Sequence, residues 1–595
     1  MTQALEIQPA AATEVRIGYR LAMPDPTNHL LALTLTVENW RDRVLDVKLP
    51  IWTPGSYLTR EYAKQLQDFR AIDADGRPLV SEKAAKNHWR VECGGSEIIE
   101  IHYRLFAYDL TVRTNHFDRT HAFIVGAATF FRIPGYEQQP IEVEVVPPES
   151  SWQVATTLEE LEPGRHGPRF RAPDFDTLVD SPFEIGIHET FEFEACGKPH
   201  AYKVWGKHNG DLAKISADTA KIIGVEAELF GDGLPYDRYL FILLLAENSY
   251  GGLEHKDSCA LIFPRFKLRA RDDYDRFMQL VAHEFFHLWN VKRLRPQAIE
   301  AFDYDRENYT PSLWFCEGVT SYYDILIPLW AGIYDVGTFL SSLSKDITRY
   351  LKTPGRLVQP LSESSWDAWI KLYRRDSNSD NSQISYYLKG MMVSLLLDLE
   401  IRKQSNNARS LDDLMRSLWR KFGQDERGYS QDELLAECTA IAGTDLTEFF
   451  DRFLHGTDEL PLGEYLEDFG LAIEPQSADV PSFGARLAED DNSRAIVKFV
   501  EVGSPAQRAG IAPEDEILAI DGYRVTAKAF SSRLQDYASG DTVAIAFFHD
   551  DELLEISVTL GEPQPKSYRL VPVEAPSETQ ATNFQAWLRA ALGDA

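Results

Sequence analysis

The chain has 595 residues, more than one hydrophobic core usually supports, so we expect roughly three or four domains. Hydrophobic residues make up 44% of the chain and aromatic residues 12%, enough for each domain to form a core. The formal net charge of −31 predicts an acidic surface that repels nucleic acid and anionic membranes, and we expect neither as a partner.

The amino terminus and the cysteines predict a soluble cytoplasmic protein. Residues 1–16 contain Glu6 and show no basic residue followed by an apolar run, unlike a secretory signal. No segment reaches the roughly 18 consecutive apolar residues that a transmembrane helix requires. The five cysteines are scattered and form no Cys-x-x-Cys pair, which argues against a disulfide framework and against a thiolate zinc site.

Short segments of alternating apolar and polar residues run from Glu14 to about Phe193, separated by Pro-Gly, Asp-Gly and Gly-Gly turns. This pattern predicts an all-β amino-terminal domain. Within it, the segment Trp52-Thr53-Pro54-Gly55-Ser56-Tyr57 predicts a turn flanked by aromatic residues. Such a turn is either purely structural or part of a functional loop.

The middle of the chain begins with two apolar strands, predicted at Tyr239–Ala246 and Cys259–Pro264. A long apolar helix with the sequence His-Glu-Phe-Phe-His at residues 283–287 follows. In a helix, His283 and His287 lie on one face, so both imidazoles can bind one zinc ion while Glu284 points at the metal's open position. The pattern predicts zinc-assisted hydrolysis.

A hydrolytic zinc site needs a third protein ligand and keeps its fourth position for water. The best candidate is Glu317, because it lies in the apolar, aromatic segment 314–323, where a lone carboxylate would be costly to bury. The alternative is that Glu317 pairs with a buried arginine or hydroxyl group. The acids between Pro296 and Pro311 lie in a polar connection, and we expect them to be solvated: Glu300, Asp303, Asp305 and Glu307.

Helical periodicity dominates from Leu313 to about Leu454, with Ser410 as the predicted N-cap of a helix over 411–422. Ser430 and Glu433 form a capping-box pattern before the next helix. Strands return near Leu460.

The carboxy-terminal segments 503–506 (Gly-Ser-Pro-Ala) and 515–522 (Asp-Glu-Ile-Leu-Ala-Ile-Asp-Gly) resemble a PDZ domain over residues 466–562. Segment 482–485 lies where such domains place the loop that receives a peptide carboxylate. A module of this kind adds a peptide as an extra strand, so a peptide C-terminus is a candidate ligand. The alternative is a spacer that binds nothing. In the tail, Phe584, Trp587, Leu588 and Leu592 predict a small amphipathic helix that docks on another domain.

Four local patterns resemble the glycyl aminopeptidase family of gluzincin metallopeptidases. They are Gly251-Gly252-Leu253-Glu254-His255, the segment 283–287 with Trp289, Glu317-Gly318 with its aromatic neighbours, and Tyr387-Leu388-Lys389-Gly390. The turn at 52–57 and the PDZ-like domain are also similar to that family. One departure concerns the wider gluzincin pattern: 29 residues separate His287 from Glu317, more than in familiar aminopeptidases of this clan but similar to glycyl aminopeptidases.

The combined patterns predict a multidomain fold with five parts. We place an all-β amino-terminal domain at 1–190 and an α+β, thermolysin-like zinc peptidase domain at 191–400. A helical extension of the peptidase domain follows at 401–465, then a β-rich PDZ-like domain at 466–562 and a tail helix at 563–595.

The resemblance also implies a role for each motif residue. One Zn²⁺ per chain is expected on His283, His287 and Glu317. Glu254 is expected to bind the free α-ammonium group of a peptide substrate, with Gly251 and Gly252 allowing close backbone approach. Leu253 and His255 replace the Met and Asn of the wider aminopeptidase pattern. Tyr387 is expected to donate its hydroxyl to the oxyanion, although the neighbouring Tyr386 leaves this choice open.

The predicted function is therefore that of a zinc-dependent aminopeptidase with Glu284 as general base. Its expected substrates are peptides with a free amino-terminal small residue, Gly or Ala, a preference implied by the family alone. Two alternatives remain open at this point: a peptide-binding PDZ scaffold with an inactive or structural zinc site, and a zinc endopeptidase. Glu284 favours catalysis, because a structural site has no need of that acid.

Overall fold

The computed structural model describes residues 14–477 and 480–594, which divide into two compact units. The first comprises residues 14–223, 234–288 and 301–308, and the second comprises the remaining described residues. Glu6 and the rest of the expected non-secretory amino terminus up to residue 13 lie outside the described residues. Among the residues that are described, no helix is long and apolar enough to cross a bilayer.

The first unit is built mainly from β-strands. Their bounds are β1 Arg16–Ala22, β2 Leu30–Glu38, β3 Val44–Lys48, β4 Leu66–Asp73, β5 Pro78–Ala85, β6 His88–Glu92, β7 Ile98–Phe106, β8 His116–Phe117, β9 His121–Ile124, β10 Ile141–Val146, β11 Gln153–Ala155, β12 Glu159–Leu161, β13 Arg169–Ala172, β14 Phe183–Gly186, β15 Glu189–Ala195, β16 Lys198–Trp205, β17 Tyr239–Ala246, β18 Gly251–Glu254 and β19 Ser258–Pro264. Three helices begin in this unit: α1 Phe175–Val179, α2 Leu212–Phe230 and α3 Arg271–Phe286.

Strands β1–β14 confirm the prediction of an all-β amino-terminal domain. They form a ten-stranded sheet in the order β12-β13-β10-β1-β2-β7-β4-β5-β6-β3 and a four-stranded sheet in the order β11-β14-β9-β8. Strand β2 shows why the sequence forms such a sheet, because Leu31, Leu33, Leu35 and Val37 alternate with polar or smaller residues and are all buried.

The remaining five strands of the first unit form a sheet in the order β15-β16-β17-β19-β18. Strand β17 pairs in parallel with both β16 and β19 and is buried along its whole length, as its continuous apolar sequence predicts. Strand β18 pairs antiparallel with β19 and lies at the edge of the sheet. The segment that carries Glu254 is therefore an edge strand.

The second unit combines helices with a smaller β domain. Its helices are α4 Val319–Trp330, α5 Val336–Leu351, α6 Leu361–Trp366, α7 Ser379–Ser382, α8 Tyr386–Gln404, α9 Leu411–Leu418, α10 Gln431–Ala442, α11 Thr447–Phe450, α12 Leu462–Glu467, α13 Pro505–Ala509, α14 Ala527–Arg533 and α15 Glu578–Leu588. Its strands are β20 Leu471–Gln476, β21 Ala485–Glu489, β22 Ala495–Val500, β23 Glu516–Ile520, β24 Tyr523–Arg524, β25 Thr542–His549, β26 Glu552–Thr559 and β27 Ser567–Pro572.

The caps predicted for two helices are present. Ser410 and Asp413 form a capping box on α9, and Ser430 and Glu433 form one on α10. Helix α9 is shorter than the predicted 411–422, because a π-helical turn at Trp419–Gly423 takes over after Leu418. These caps satisfy backbone N–H groups that a helix start would otherwise leave without partners.

The β-rich carboxy-terminal region has the strand content predicted for a PDZ-like domain. Its sheet has the order β21-β22-β23-β25-β26, with β24 paired to β23, and β21 lies at an edge. The sheet and α14 enclose a core of their own, which runs from Phe483 to Leu560. In the tail, Trp587 of α15 is fully buried and its indole N–H donates to the Tyr322 hydroxyl on α4 at 2.8 Å.

Candidate active site

Helix α3 carries the two predicted histidine ligands. Asp272 and Asp273 lie in its first turn, where their negative charges interact favourably with the positive end of the helix dipole. Phe277, Val281 and Phe285 are fully buried and fix the opposite face of the helix in the core. The helix ends at Phe286, but the His287 N–H still donates to the His283 carbonyl, and the two imidazole centroids lie 4.7 Å apart.

Glu284 packs directly against the edge strand β18. A Cβ atom at Gly252 would lie 2.2 Å from both Cδ and Oε1 of Glu284, so only glycine leaves room for this carboxyl group. Burial raises the pKa of Glu284 to about 7; His283 and His287 counteract this rise, Glu254 adds to it and Arg113 opposes it. Its Oε2 is buried and accepts no hydrogen bond from the described residues.

Glu254 ends strand β18 and points its carboxyl group to the same place. Oxygen atoms of Glu254 and Glu284 and a ring nitrogen of His287 all lie within 4.8 Å of one another. Glu254 is only 3% exposed, and its Oε1 accepts no hydrogen bond from the described part of the chain. A buried carboxylate is costly unless it is paired, so the site is suited to a cationic group of a ligand.

Two further residues border this site: Arg113, which the sequence analysis did not single out, and Gly55, for which it predicted only a place in the turn at 52–57. Arg113 donates from its guanidinium group to the Gly252 carbonyl at 2.8 Å and thereby holds β18 from the side of the amino-terminal domain. Gly55, in the turn at 52–57, approaches Glu254 so closely that a Cβ atom there would lie 2.4 Å from Oε1. Neither residue has a fixed spacing to the histidine motif, and only the tertiary fold brings them to it.

Glu317 lies in a π-helical turn, Trp314–Gly318, that leads into α4. Turns of this kind occur often at functional sites, since they change the direction of one side chain within a helix. The Asn290 side-chain amide donates to the carbonyls of Phe315 and Cys316 at 3.0 and 3.2 Å, which supports the widened turn. Glu317 is 2% exposed.

The two neighbouring tyrosines at the start of α8 differ in their exposure to solvent. Tyr386 is fully buried, whereas Tyr387 is partly exposed. The hydroxyl of Tyr373, which the sequence did not single out, lies 3.2 Å from the Tyr387 hydroxyl and 3.1 Å from that of Tyr386. Burial raises the pKa of Tyr387 well above its ordinary value, and the Glu317 carboxylate raises it further, so the phenol stays protonated as a donor.

Two glycines bring the Glu317 turn close to α8. A Cβ atom at Gly318 would lie 2.4 Å from the backbone carbon of Gly390, and one at Gly390 would lie 2.9 Å from the Trp314 carbonyl oxygen. Any larger residue at either position would push the two backbones apart. The crossing therefore fixes the segment of Glu317 relative to the helix of Tyr387.

The donor set fits a zinc ion. One ligand atom from each of His283, His287 and Glu317 lies within 4.8 Å of the other two. Two imidazole nitrogens and one carboxylate oxygen are the three protein donors that catalytic zinc sites use. The competing acids have other partners, and Asp305, whose side chain is partly exposed, is bonded to Lys48 and Arg132. Glu307 accepts from Thr59, and Glu300 from the Gly428 N–H.

Comparisons with known proteins show the family of the chain. The model of the peptidase M61 N-terminal domain matches residues 18–187, that of the M61 glycyl aminopeptidase residues 276–393, and that of the PDZ domain residues 481–560. The crystal structure of an aminopeptidase N family protein from Idiomarina loihiensis is 32% identical, with a TM-score of 0.90 over 96% of this chain and 100% of that one. The chain belongs to the M61 glycyl aminopeptidase family. It is therefore a metallo-aminopeptidase, and membership implies a zinc cofactor.

Two further results add little to this family assignment. An M1 zinc metallopeptidase from Deinococcus radiodurans is 14% identical and has a TM-score of 0.48 over 75% of this chain and 95% of that one. A search of curated proteins finds no match. The recognition of a glycyl aminopeptidase with a PDZ domain, made from four short motifs, is confirmed by the family models.

Proposed function

We propose that this member of the glycyl aminopeptidase family removes a small residue, Gly or Ala, from peptides with a free amino terminus. One zinc ion per chain is held by His283, His287 and Glu317. The observation that carries the proposal is the buried Glu254 carboxyl group beside Glu284, with an oxygen that accepts no hydrogen bond within the described chain. The α-ammonium group of a peptide is the cation that would satisfy it.

The reaction follows from the roles of these side chains. A zinc ion bound at this site supplies Lewis acidity and lowers the pKa of its water to about 7. Glu284 accepts the proton of the attacking water and later gives it to the leaving amine. Tyr387 donates its hydroxyl to the oxygen that becomes negative during attack. Glu254 sets the register, because it holds the amino terminus one residue from the bond that breaks.

Glu254 also explains why cleavage would be limited to the first bond. A substrate chain that continued beyond the amino side of the first residue would bring no ammonium group to this carboxylate. Glu254 would then stay buried without a cationic partner. Such a loss costs about 1–3 kcal/mol for a neutral polar group and more for a charged one. The arrangement therefore favours an exopeptidase over an endopeptidase.

The experiment that tests the proposal compares glycyl, alanyl, leucyl and N-acetyl-glycyl amides as substrates. Wild type, Glu284→Gln and Glu254→Gln are assayed, and bound metal is measured in each. We expect Glu284→Gln to lose activity while it keeps its metal, and wild type to leave the acetylated substrate intact. Full activity of Glu284→Gln contradicts the mechanism, and equal cleavage of acetylated and free substrates contradicts the aminopeptidase assignment.

We further propose that the PDZ domain binds the C-terminus of a peptide. A cavity of about 1190 Å³ lies along β21 and α14, lined by Phe483 and Gly484 of the expected carboxylate loop and by Lys528. Because β21 is an edge strand, a peptide can pair with it, and the lysine favours a carboxylate. Titration with a peptide and with its C-terminal amide tests this, since the amide should bind weakly.

A further inference from the structure

We propose that the turn Trp52–Tyr57, called the Gly55 turn below, is the wall that limits the first residue of the substrate to a small side chain. The inference rests on the proposed function, because it takes the Glu254 carboxylate as the site of the substrate's ammonium group. It adds a specificity determinant from the amino-terminal domain, where the sequence left open whether the turn is structural or functional.

The Gly55 turn touches Glu254 directly. A Cβ atom built on Gly55 would lie 2.4 Å from Oε1 and 2.7 Å from Oε2 of Glu254, and 2.7 Å from a methyl group of Leu253. Gly55 also has a φ of +84°, in the left-handed region that favours glycine. Both its conformation and its surroundings therefore require glycine, and the backbone itself covers one side of the carboxyl group.

Glu284 borders a second side of this carboxyl group. Glu284 approaches within 4.8 Å, and Gly252 lies so close to Glu284 that no side chain fits between them. An ammonium nitrogen bonded to Glu254 lies about 2.8 Å from an oxygen, which puts the α-carbon of the first substrate residue about 4 Å away. Because a Cβ atom on Gly55 would lie within 2.7 Å of both oxygens of Glu254, the turn occupies space beside this ammonium position. We infer that a side chain much larger than a methyl group on the first substrate residue meets the turn.

The turn is held in place and has little freedom to move aside. The Ser56 N–H donates to the Thr53 carbonyl at 3.0 Å, and Arg60 donates to the Ser56 hydroxyl at 2.8 Å. The Trp52 indole N–H donates to the Asp303 carbonyl at 2.8 Å, and the whole turn is buried. A fixed wall excludes large side chains, whereas a mobile loop would adapt to them.

The test measures kcat/KM for a series of amides of increasing side-chain size: glycyl, alanyl, 2-aminobutyryl, valyl and leucyl. For the wild-type enzyme we expect kcat/KM to fall steadily along the series, and the value for the leucyl substrate to be at least about 100-fold below that for the glycyl substrate. Ser56→Ala removes the hydroxyl that Arg60 holds and loosens the turn. We expect it to raise the ratio of leucyl to glycyl kcat/KM about 10-fold. Thr59→Ala, three residues further on, removes a hydroxyl bonded to Glu307 and is expected to leave the ratio unchanged.

A second variant tests the close approach itself. Gly55→Ala places a methyl group against Glu254, and we expect kcat/KM for glycyl and alanyl substrates to fall at least about 100-fold with the metal content unchanged. Wild-type enzyme that cleaves leucyl and glycyl amides equally well would overturn the inference while leaving the proposed function intact. So would a leucyl-to-glycyl ratio that stays the same in Ser56→Ala, or full activity in Gly55→Ala. Cleavage of acetylated substrates would instead overturn the proposed function.

Discussion

At the residue scale, the site requires a residue without a side chain at position 252. Gly252 gives Glu284 the space that a methyl group would fill, while its carbonyl accepts from Arg113. The position of Glu284, the proposed general base, is therefore set by a glycine on another element. A displacement of about 1 Å at such a group is enough to lower a rate about 100-fold.

We predict that Gly252→Ala lowers kcat/KM at least about 100-fold, because Glu284 must leave its position to make room. Steady-state kinetics on a glycyl substrate, with circular dichroism and metal content as checks, measures the effect. Gly18→Ala is the matched control, since Gly18 also lies in a strand but has no atom within 4 Å of an added Cβ. Equal activity of the two variants would show that Glu284 tolerates displacement.

The two adjacent tyrosines allow a comparison within one turn of helix. We predict that Tyr387→Phe lowers kcat by about 100- to 1000-fold, the effect of losing one oxyanion donor, with little change in KM. Tyr386→Phe removes the neighbouring hydroxyl from the same Tyr373 contact and serves as the control. Tyr386 is fully buried, so this change should affect stability more than turnover. A reversed order of the two effects on kcat would assign the donor to Tyr386.

At the element scale, hydrogen bonds connect the tail helix α15 to α4, which follows the Glu317 turn, and to α8, which carries Tyr387. Trp587 donates to the Tyr322 hydroxyl on α4, which donates in turn to Asp398 on α8 at 2.7 Å. Asp398 is bonded to Arg402, and Arg402 donates to the Ala586 carbonyl, which closes the network on α15. These groups are buried together, so each depends on the others for its hydrogen bonds.

We predict that Trp587→Ala destabilises the protein by about 3–5 kcal/mol, through the lost burial of the indole and the broken network. Thermal or urea unfolding measures the change. Trp366→Ala is the control of the same chemistry, because Trp366 is 46% exposed and stacks on Tyr309 near the surface. We expect a much smaller effect there, and a similar loss in both variants would mean that the network adds nothing to the packing of α15.

At the scale of the whole molecule, patterns with a short period could be predicted from the sequence, and contacts between distant segments could not. Strand β17 has the predicted bounds Tyr239–Ala246, and the spacing of His283 and His287 follows from the helical repeat alone. Arg113 reaches Gly252 over a separation of 139 residues, and nothing in its own segment indicates this. The π-helical turn at Glu317 is equally hidden, because it is supported by the side chain of Asn290.

At the scale of the whole molecule, we also expect the free energy of unfolding to fall at acidic pH, in part because His188 is buried as a neutral imidazole. Burial, together with the nearby Lys203 ammonium group, lowers the pKa of His188 to about 4. The unfolded chain takes up a proton near the ordinary pKa of about 6.5, whereas the folded chain does so only near 4. Between these values the unfolded state binds more protons, so the contribution of His188 to stability is present above pH 6.5 and is lost as the pH falls toward 4.

We predict that His188→Gln lessens the loss of stability between pH 7.5 and pH 5 by about 1–2 kcal/mol relative to wild type. The free energy of unfolding, from urea titrations at both pH values, measures this difference. His166→Gln is the control, because His166 is exposed and contributes no buried neutral imidazole. If both variants lose the same stability as wild type on acidification, the buried imidazole of His188 is already satisfied as a cation in the folded state.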